Sequence, residues 1–145
     1  MTILIVGRGD GWMGVHMGQV AEGFRQLGHT VHFAHYPDFY RRPFPGWPRR
    51  KGSPAFRRAC TRRLLDVIRN GRPRVVILAL AHLIFDMAPL REPFPGRLIF
   101  WDLDGPALPC YREGVAWTGH LDLLATVSQV TRRRLEAAGC ANVAY

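Results

Sequence analysis

Two carboxylates, Asp102 and Asp104, stand two residues apart in the run Trp101-Asp102-Leu103-Asp104-Gly105-Pro106, directly after the apolar stretch Leu98 to Trp101. Such a pair at the end of a strand suits general-base catalysis or hydrogen bonding to hydroxyls. Asp-Gly-Pro also forms a turn by itself, and the spacing leaves open which carboxylate would be the base. A second candidate is the run Gly-Arg-Gly-Asp-Gly-Trp-Met-Gly from position 7, a formal GxGxxG at Gly9, Gly11 and Gly14. Glycines there let the backbone approach a phosphate, and the amides of a following helix favour negative charge. The acidic residue that a dinucleotide fingerprint wants about 20 residues on is missing, as is the Gly-Lys-Ser/Thr of a P-loop. A glycine turn that serves only the strand–helix connection is the bland alternative.

Trp12 and His16 accompany the glycines, His82 follows the third apolar run, and Ser128 follows the fifth. A histidine in such a place can orient a ligand or move a proton, although a lone one is commonly a satisfied polar residue. The substrate-binding set is therefore Gly9, Gly11, Trp12, Gly14, His16, His82 and Ser128, with Asp102 and Asp104 as the catalytic pair. No metal site is expected. His29, His32 and His35 recur every three residues, but His32 and His35 would face opposite sides of a strand. Cys60, Cys110 and Cys140 are odd in number and widely spaced, giving neither a disulfide framework nor a zinc ligand set.

The elements that must position these residues follow from period and punctuation. Ile3 to Val6 reads as a strand buried on both faces. Met17, Val20, Phe24 and Leu27 form one face of a helix that Gly28 closes. Val31 to Tyr36 is the second strand, ended by Pro37. Ser53-Pro54 opens a helix with Phe56, Cys60, Leu64, Val67 and Ile68 inward, and Asn70-Gly71 closes it. Val75 to Ala81, Leu98 to Trp101 and Leu121 to Val127 are further strands. Ser128 caps a last helix with Thr131, Leu135 and Ala138 inward, and Asn142 to Tyr145 begins a sixth strand. Strands alternating with helices predict an α/β fold: a doubly wound, Rossmann-like parallel sheet in a three-layer α/β/α arrangement. In such sheets ligands bind beyond the carboxyl ends of the strands, where every candidate residue falls.

A chain of 145 residues is one domain in size. Its 48% hydrophobic and 21% charged residues exclude disorder. Its longest apolar run, Val75 to Ala81, is far short of the ~20 residues of a membrane span. No signal peptide is read at the N-terminus, and a cytoplasmic location is expected. The net charge of +9 is carried by arginine in every basic position but Lys51, which favours an anionic partner. The segment 39–51 interleaves Arg41, Arg42, Arg49, Arg50 and Lys51 with Phe39, Tyr40, Phe44 and Trp47. That pattern suits peripheral contact with an anionic membrane or stacking on bases, or else a solvated excursion packed on its own aromatics.

The glycine turn, the junction Leu27-Gly28-His29-Thr30-Val31, the segment Asp122 to Ser128 and the final Asn142 to Tyr145 together resemble the N-terminal domain of glycosyltransferases of the two-Rossmann-domain (GT-B) type, including the family 4-like members. The Trp-Asp-Leu-Asp-Gly-Pro turn is similar to the CgeB-like branch. The resemblance spans nearly all of residues 1–145. It implies an acceptor-side domain whose donor-binding C-terminal partner lies outside this sequence, so that the chain reads as the first half of something longer. It implies transfer of a hexose from a nucleotide-sugar to a hydroxyl acceptor, with no cofactor beyond that donor and no nucleic-acid partner. Gly9 to Gly14 would approach the donor phosphates, and Asp102 or Asp104 would supply the base or an acceptor contact. Two other readings stay open: an NAD(P)-binding oxidoreductase domain, and a non-catalytic binding module of the same fold.

Overall fold

A computed structural model of the chain describes residues 1–9, 11–40, 53–79, 84–102 and 118–145, the side chains of Trp12 and Met13 excepted. The strands are β1 (Thr2–Gly7), β2 (Thr30–His35), β3 (Val75–Ala79), β4 (Arg97–Asp102), β5 (Leu123–Thr126) and β6 (Val143–Ala144). The helices are α1 (Gly11–Gln26), α2 (Tyr36–Tyr40), α3 (Pro54–Gly71), α4 (Met87–Arg91) and α5 (Gln129–Ala137). One six-stranded sheet runs in the order β2-β1-β3-β4-β5-β6, and every pairing is parallel. The expected single-domain, parallel α/β architecture is present. From β1 the order steps one way to β2 and the other way to β3. The reversal therefore lies between β1 and β3, as in sheets of the 2-1-3-4-5 kind rather than the 3-2-1-4-5-6 kind.

Alternation along the central strands divides the core between the two faces of the sheet. On one face Ile3, Ile5, Ile77 and Ala79 pack with Met17 and Ala21 of α1. On the other, Leu4, Val6, Val76, Leu78, Leu98 and Phe100 pack with Phe56, Cys60, Leu64 and Ile68 of α3 and Leu135 of α5. Burying a leucine such as Leu64 completely contributes about 1.5–3 kcal/mol.

Local chemistry sets the helix boundaries. The Ser53 hydroxyl accepts from the Phe56 N–H at 3.2 Å, and the Ser128 hydroxyl accepts from Thr131 N–H at 3.1 Å. Each thereby satisfies an amide that has no partner inside its helix. At the end of α1, His29 N–H reaches Phe24 O and Gly28 N–H reaches Arg25 O, with Gly28 left-handed at φ 79°. At the end of α5, Cys140 N–H reaches Leu135 O and Gly139 N–H reaches Glu136 O, with Gly139 at φ 87°. Both are Schellman closures.

Several boundaries differ from the sequence expectation. Tyr36 leaves the second strand and starts α2, where Pro37 is tolerated because first-turn amides need no partner. Leu27 falls in the turn after α1 and is 73% exposed. Val67 and Ala138 also lie outside the core. Helix α3 closes one residue later than Asn70-Gly71 suggests: Arg72, not Gly71, takes the left-handed conformation, at φ 44°. Helices α2 and α4, of five residues each, are single turns with no apolar period to read.

The amino edge of the sheet is held by Asp122. Its Oδ2 accepts from the Leu98 amide at 2.8 Å and lies 3.1 Å from Arg91 Nη1, while Oδ1 accepts from Arg97 Nη1 at 2.8 Å. Burial alone would raise this carboxyl's pKa. The Leu98 amide, the Arg97 hydrogen bond and the charges of Arg91 and Arg97 outweigh it and hold the group below its ordinary 3.8.

Candidate functional site at the carboxyl edge of the sheet

Parallel registry brings the ends of five strands to one rim. Gly7 lies beside His35, Ala79 beside Trp101, and Asp102 beside Thr126. The glycine turn leaves β1 at this rim, next to the reversal of strand order. A side chain has little room at two of its glycines. A Cβ on Gly9 would overlap the imidazole of His35, and one on Gly14 would lie 2.6 Å from the carbonyl carbon and oxygen of Gly9. Gly11, the first residue of α1, sits at φ 62°. Removing side chains at these positions lets the first turn of α1 rest directly on the loop backbone. That turn carries no acidic side chain, and a helix amino end of this kind favours an anion.

His35 covers the far side of the turn, its ring 4.7 Å from that of Phe33. His16 is exposed on α1. Backbone placement puts Trp12 in the first turn of the same helix, and its side chain lies outside the described residues, as do His82 and Asp104. Two strand spacings separate β1 from β4, so Asp102 stands roughly 10 Å across the rim from the glycine turn.

Asp102 is 2% exposed. Its Oδ2 accepts a hydrogen bond from Thr126 Oγ1 at 3.0 Å, and Thr126 Oγ1 accepts in turn from Ser128 N–H at 3.2 Å. Val127 N–H donates to the Asp102 carbonyl at 3.3 Å. This chain joins β4, β5 and the cap of α5 into one unit, and it gives both Asp102 and Ser128 a positioning role at the rim. Buried charged groups require such partners. The structure thus gathers Gly9, Gly11, Gly14, His16, Asp102 and Ser128 on one side of the sheet.

Two contributors, His35 and Thr126, are not marked by any sequence motif, and Tyr36, just past the end of β2, turns inward. In the sequence His35 reads as a strand-end residue and a poor metal ligand, whereas in the fold it packs over Gly9; among the described residues no cluster of metal-ligating side chains could hold an ion. Thr126 reads in the sequence as strand interior, yet in the sheet its hydroxyl is the donor to the buried Asp102 carboxylate. Tyr36, directly behind His35, is buried with its ring 6.4 Å from that of Phe85. Its hydroxyl has no hydrogen-bond partner among the described residues, and burial, with Tyr40 adding to it, pushes its pKa well above the usual 10.

The basic, aromatic segment is also narrowed. Phe39 belongs to the core, edge-on to Phe85 at 5.3 Å, and Tyr40 packs against the same cluster. Neither is an exposed membrane-facing aromatic, and Arg41 to Lys51 lie outside the described residues. Among the described residues no helix is long and apolar enough to cross a membrane. Compared with protein-family models and with curated proteins, the chain finds no match.

Proposed function

We propose that this chain is the acceptor-side domain of a glycosyltransferase, moving a hexose from a nucleotide-sugar to a hydroxyl. The observation that carries this reading is the glycine turn at the β1/β3 reversal, stripped of side chains where α1 meets the loop, with a buried carboxylate across the same rim. The helix end would face the donor phosphates. Asp104, two residues beyond the anchored Asp102, is the candidate base that takes the acceptor hydroxyl proton, and Asp102 holds the end of β4 in place. Trp12, His16 and His82 would line the acceptor side, and a second domain would carry the sugar nucleotide. Hydrogen-bonded placement at the rim favours this over a dinucleotide oxidoreductase, since exposed His35 stands at the end of β2 where a ribose-binding carboxylate would be needed.

The test is nucleotide release from a panel of UDP-, GDP- and CMP-sugars by the full-length gene product, with Asp104→Asn and Asp102→Asn alongside. Donor-dependent release that falls about a hundredfold or more in Asp104→Asn supports the reading. Release from no donor, or a rate unchanged in both variants, removes it. The basic segment from Arg41 to Lys51 is assigned to an anionic membrane surface. Binding to phosphatidylglycerol vesicles that fades between low salt and 0.5 M supports this, and equal binding to phosphatidylcholine vesicles opposes it.

A further inference from the structure

On the amino edge of the sheet, opposite the glycine turn, a cavity of about 350 Å³ opens between the end of α3 and the turn before β4. That volume lies within the range of small-molecule sites. Its apolar wall is formed by Ile68, Pro73 and Phe94, flanked by Pro93 and Pro95. Three guanidinium-bearing residues, Arg69, Arg72 and Arg74, stand around it. Arg69 is paired with Asp66 at 3.3 Å. Arg72 and Arg74 are exposed, and neither side chain has an acidic partner among the described residues.

Hydrogen bonds tie both walls to the sheet and to each other. Arg74 N–H donates to Thr2 O at 2.8 Å, and Arg97 N–H donates to Arg74 O at 2.9 Å. Arg91 Nη1 donates to Gly96 O at 2.7 Å and is itself held by Asp122. A Cβ on Gly96 would come within 2.6 Å of Arg74 O, so the Pro-Phe-Pro-Gly turn lies against the opposite wall. Arg72 meanwhile occupies the left-handed position that glycine ordinarily takes at the end of a helix. A strained residue whose side chain borders a cavity points from an observed outlier toward a function.

We infer that this cavity binds a small amphipathic anion, an aromatic or short acyl body carrying a phosphate or carboxylate. The apolar body would lie against Phe94, Ile68 and Pro73, and the anionic group would meet Arg72 and Arg74, whose forked donors match such oxygens. This site is distinct from the carboxyl-edge rim and does not depend on the transferase reading.

The experiment is an amide-resolved NMR titration of the full chain with phenyl phosphate, and separately with phenol and with inorganic phosphate. Saturable shifts are expected at Ile68, Arg72, Arg74, Phe94 and Gly96, with phenyl phosphate binding at least about tenfold tighter than either half. Arg72→Gly, which relieves backbone strain, and Arg74→Ala, on the surface, should each weaken binding about tenfold, the loss of one charged hydrogen bond. Absence of saturable shifts at these amides overturns the proposal. So does equal binding of phosphate or phenol, an unchanged affinity in both variants, or a response confined to Gly9 and Gly11.

Discussion

A methyl group at Gly14 would meet backbone rather than a side chain that can swing away. Gly14→Ala is expected to force α1 off the loop at about 1–3 kcal/mol, lowering Tm by several degrees in a thermal melt. Arg72 offers the opposite case. Replacing it by glycine removes the left-handed strain at φ 44°, and a gain of about 0.5–1 kcal/mol is expected from denaturant midpoints. Asp122 links stability to pH. Its folded pKa lies below the ordinary 3.8, so its contribution is complete above that value and disappears as pH falls through the folded one. Asp122→Asn should therefore lower stability by about 1.5–3 kcal/mol at pH 7, with the gap to the parent closing in melts taken below pH 3.8. Cys60 is a buried thiol with a structural partner. Its thiol donates to Phe39 O at 3.3 Å, and burial, only partly countered by the charge of Arg63, pushes its pKa up to about 11.

At the scale of elements, the caps show what a sequence can disclose. Ser53-Pro54 and Ser128 are legible because a hydroxyl and the amide three residues on form a local device, independent of the rest of the chain. Ser128→Ala is expected to cost about 1 kcal/mol, and a melt that does not move would show that the cap adds little to α5. The single-turn helices α2 and α4 were not legible, since five residues carry no period. The closure of α3 departs from its local signal for a different reason. Asn70-Gly71 carries the local preference, but the strand that follows must start at Val75 in register with Ile3, and that tertiary demand puts the bend on Arg72. Across the site the division is similar. The glycine turn and Asp102 could be found as motifs, whereas His35 over Gly9 and Thr126 under Asp102 depend on lateral registry that no single stretch of chain contains.

For the whole molecule, an all-parallel order concentrates stability at the centre. Strands β1 and β3 are hydrogen-bonded on both sides, and both faces of each are buried. Amide exchange is therefore expected to be slowest at Leu4, Val6, Val76 and Leu78 and much faster along β2 and β6, read by mass spectrometry or NMR. Comparable rates in the centre and at the edges would contradict this packing. The pairing of Ile3 with Val75 also has a kinetic meaning. During synthesis β1, α1 and β2 emerge before β3, so one side of β1 stays open until the polypeptide has travelled the length of α3 and returned. Until then Leu-Ile-Val presents a bare, greasy ribbon edge to every nascent neighbour. Such distant closure slows folding and invites mispairing, so this chain should depend on chaperones early in its life and much less once β3 has docked.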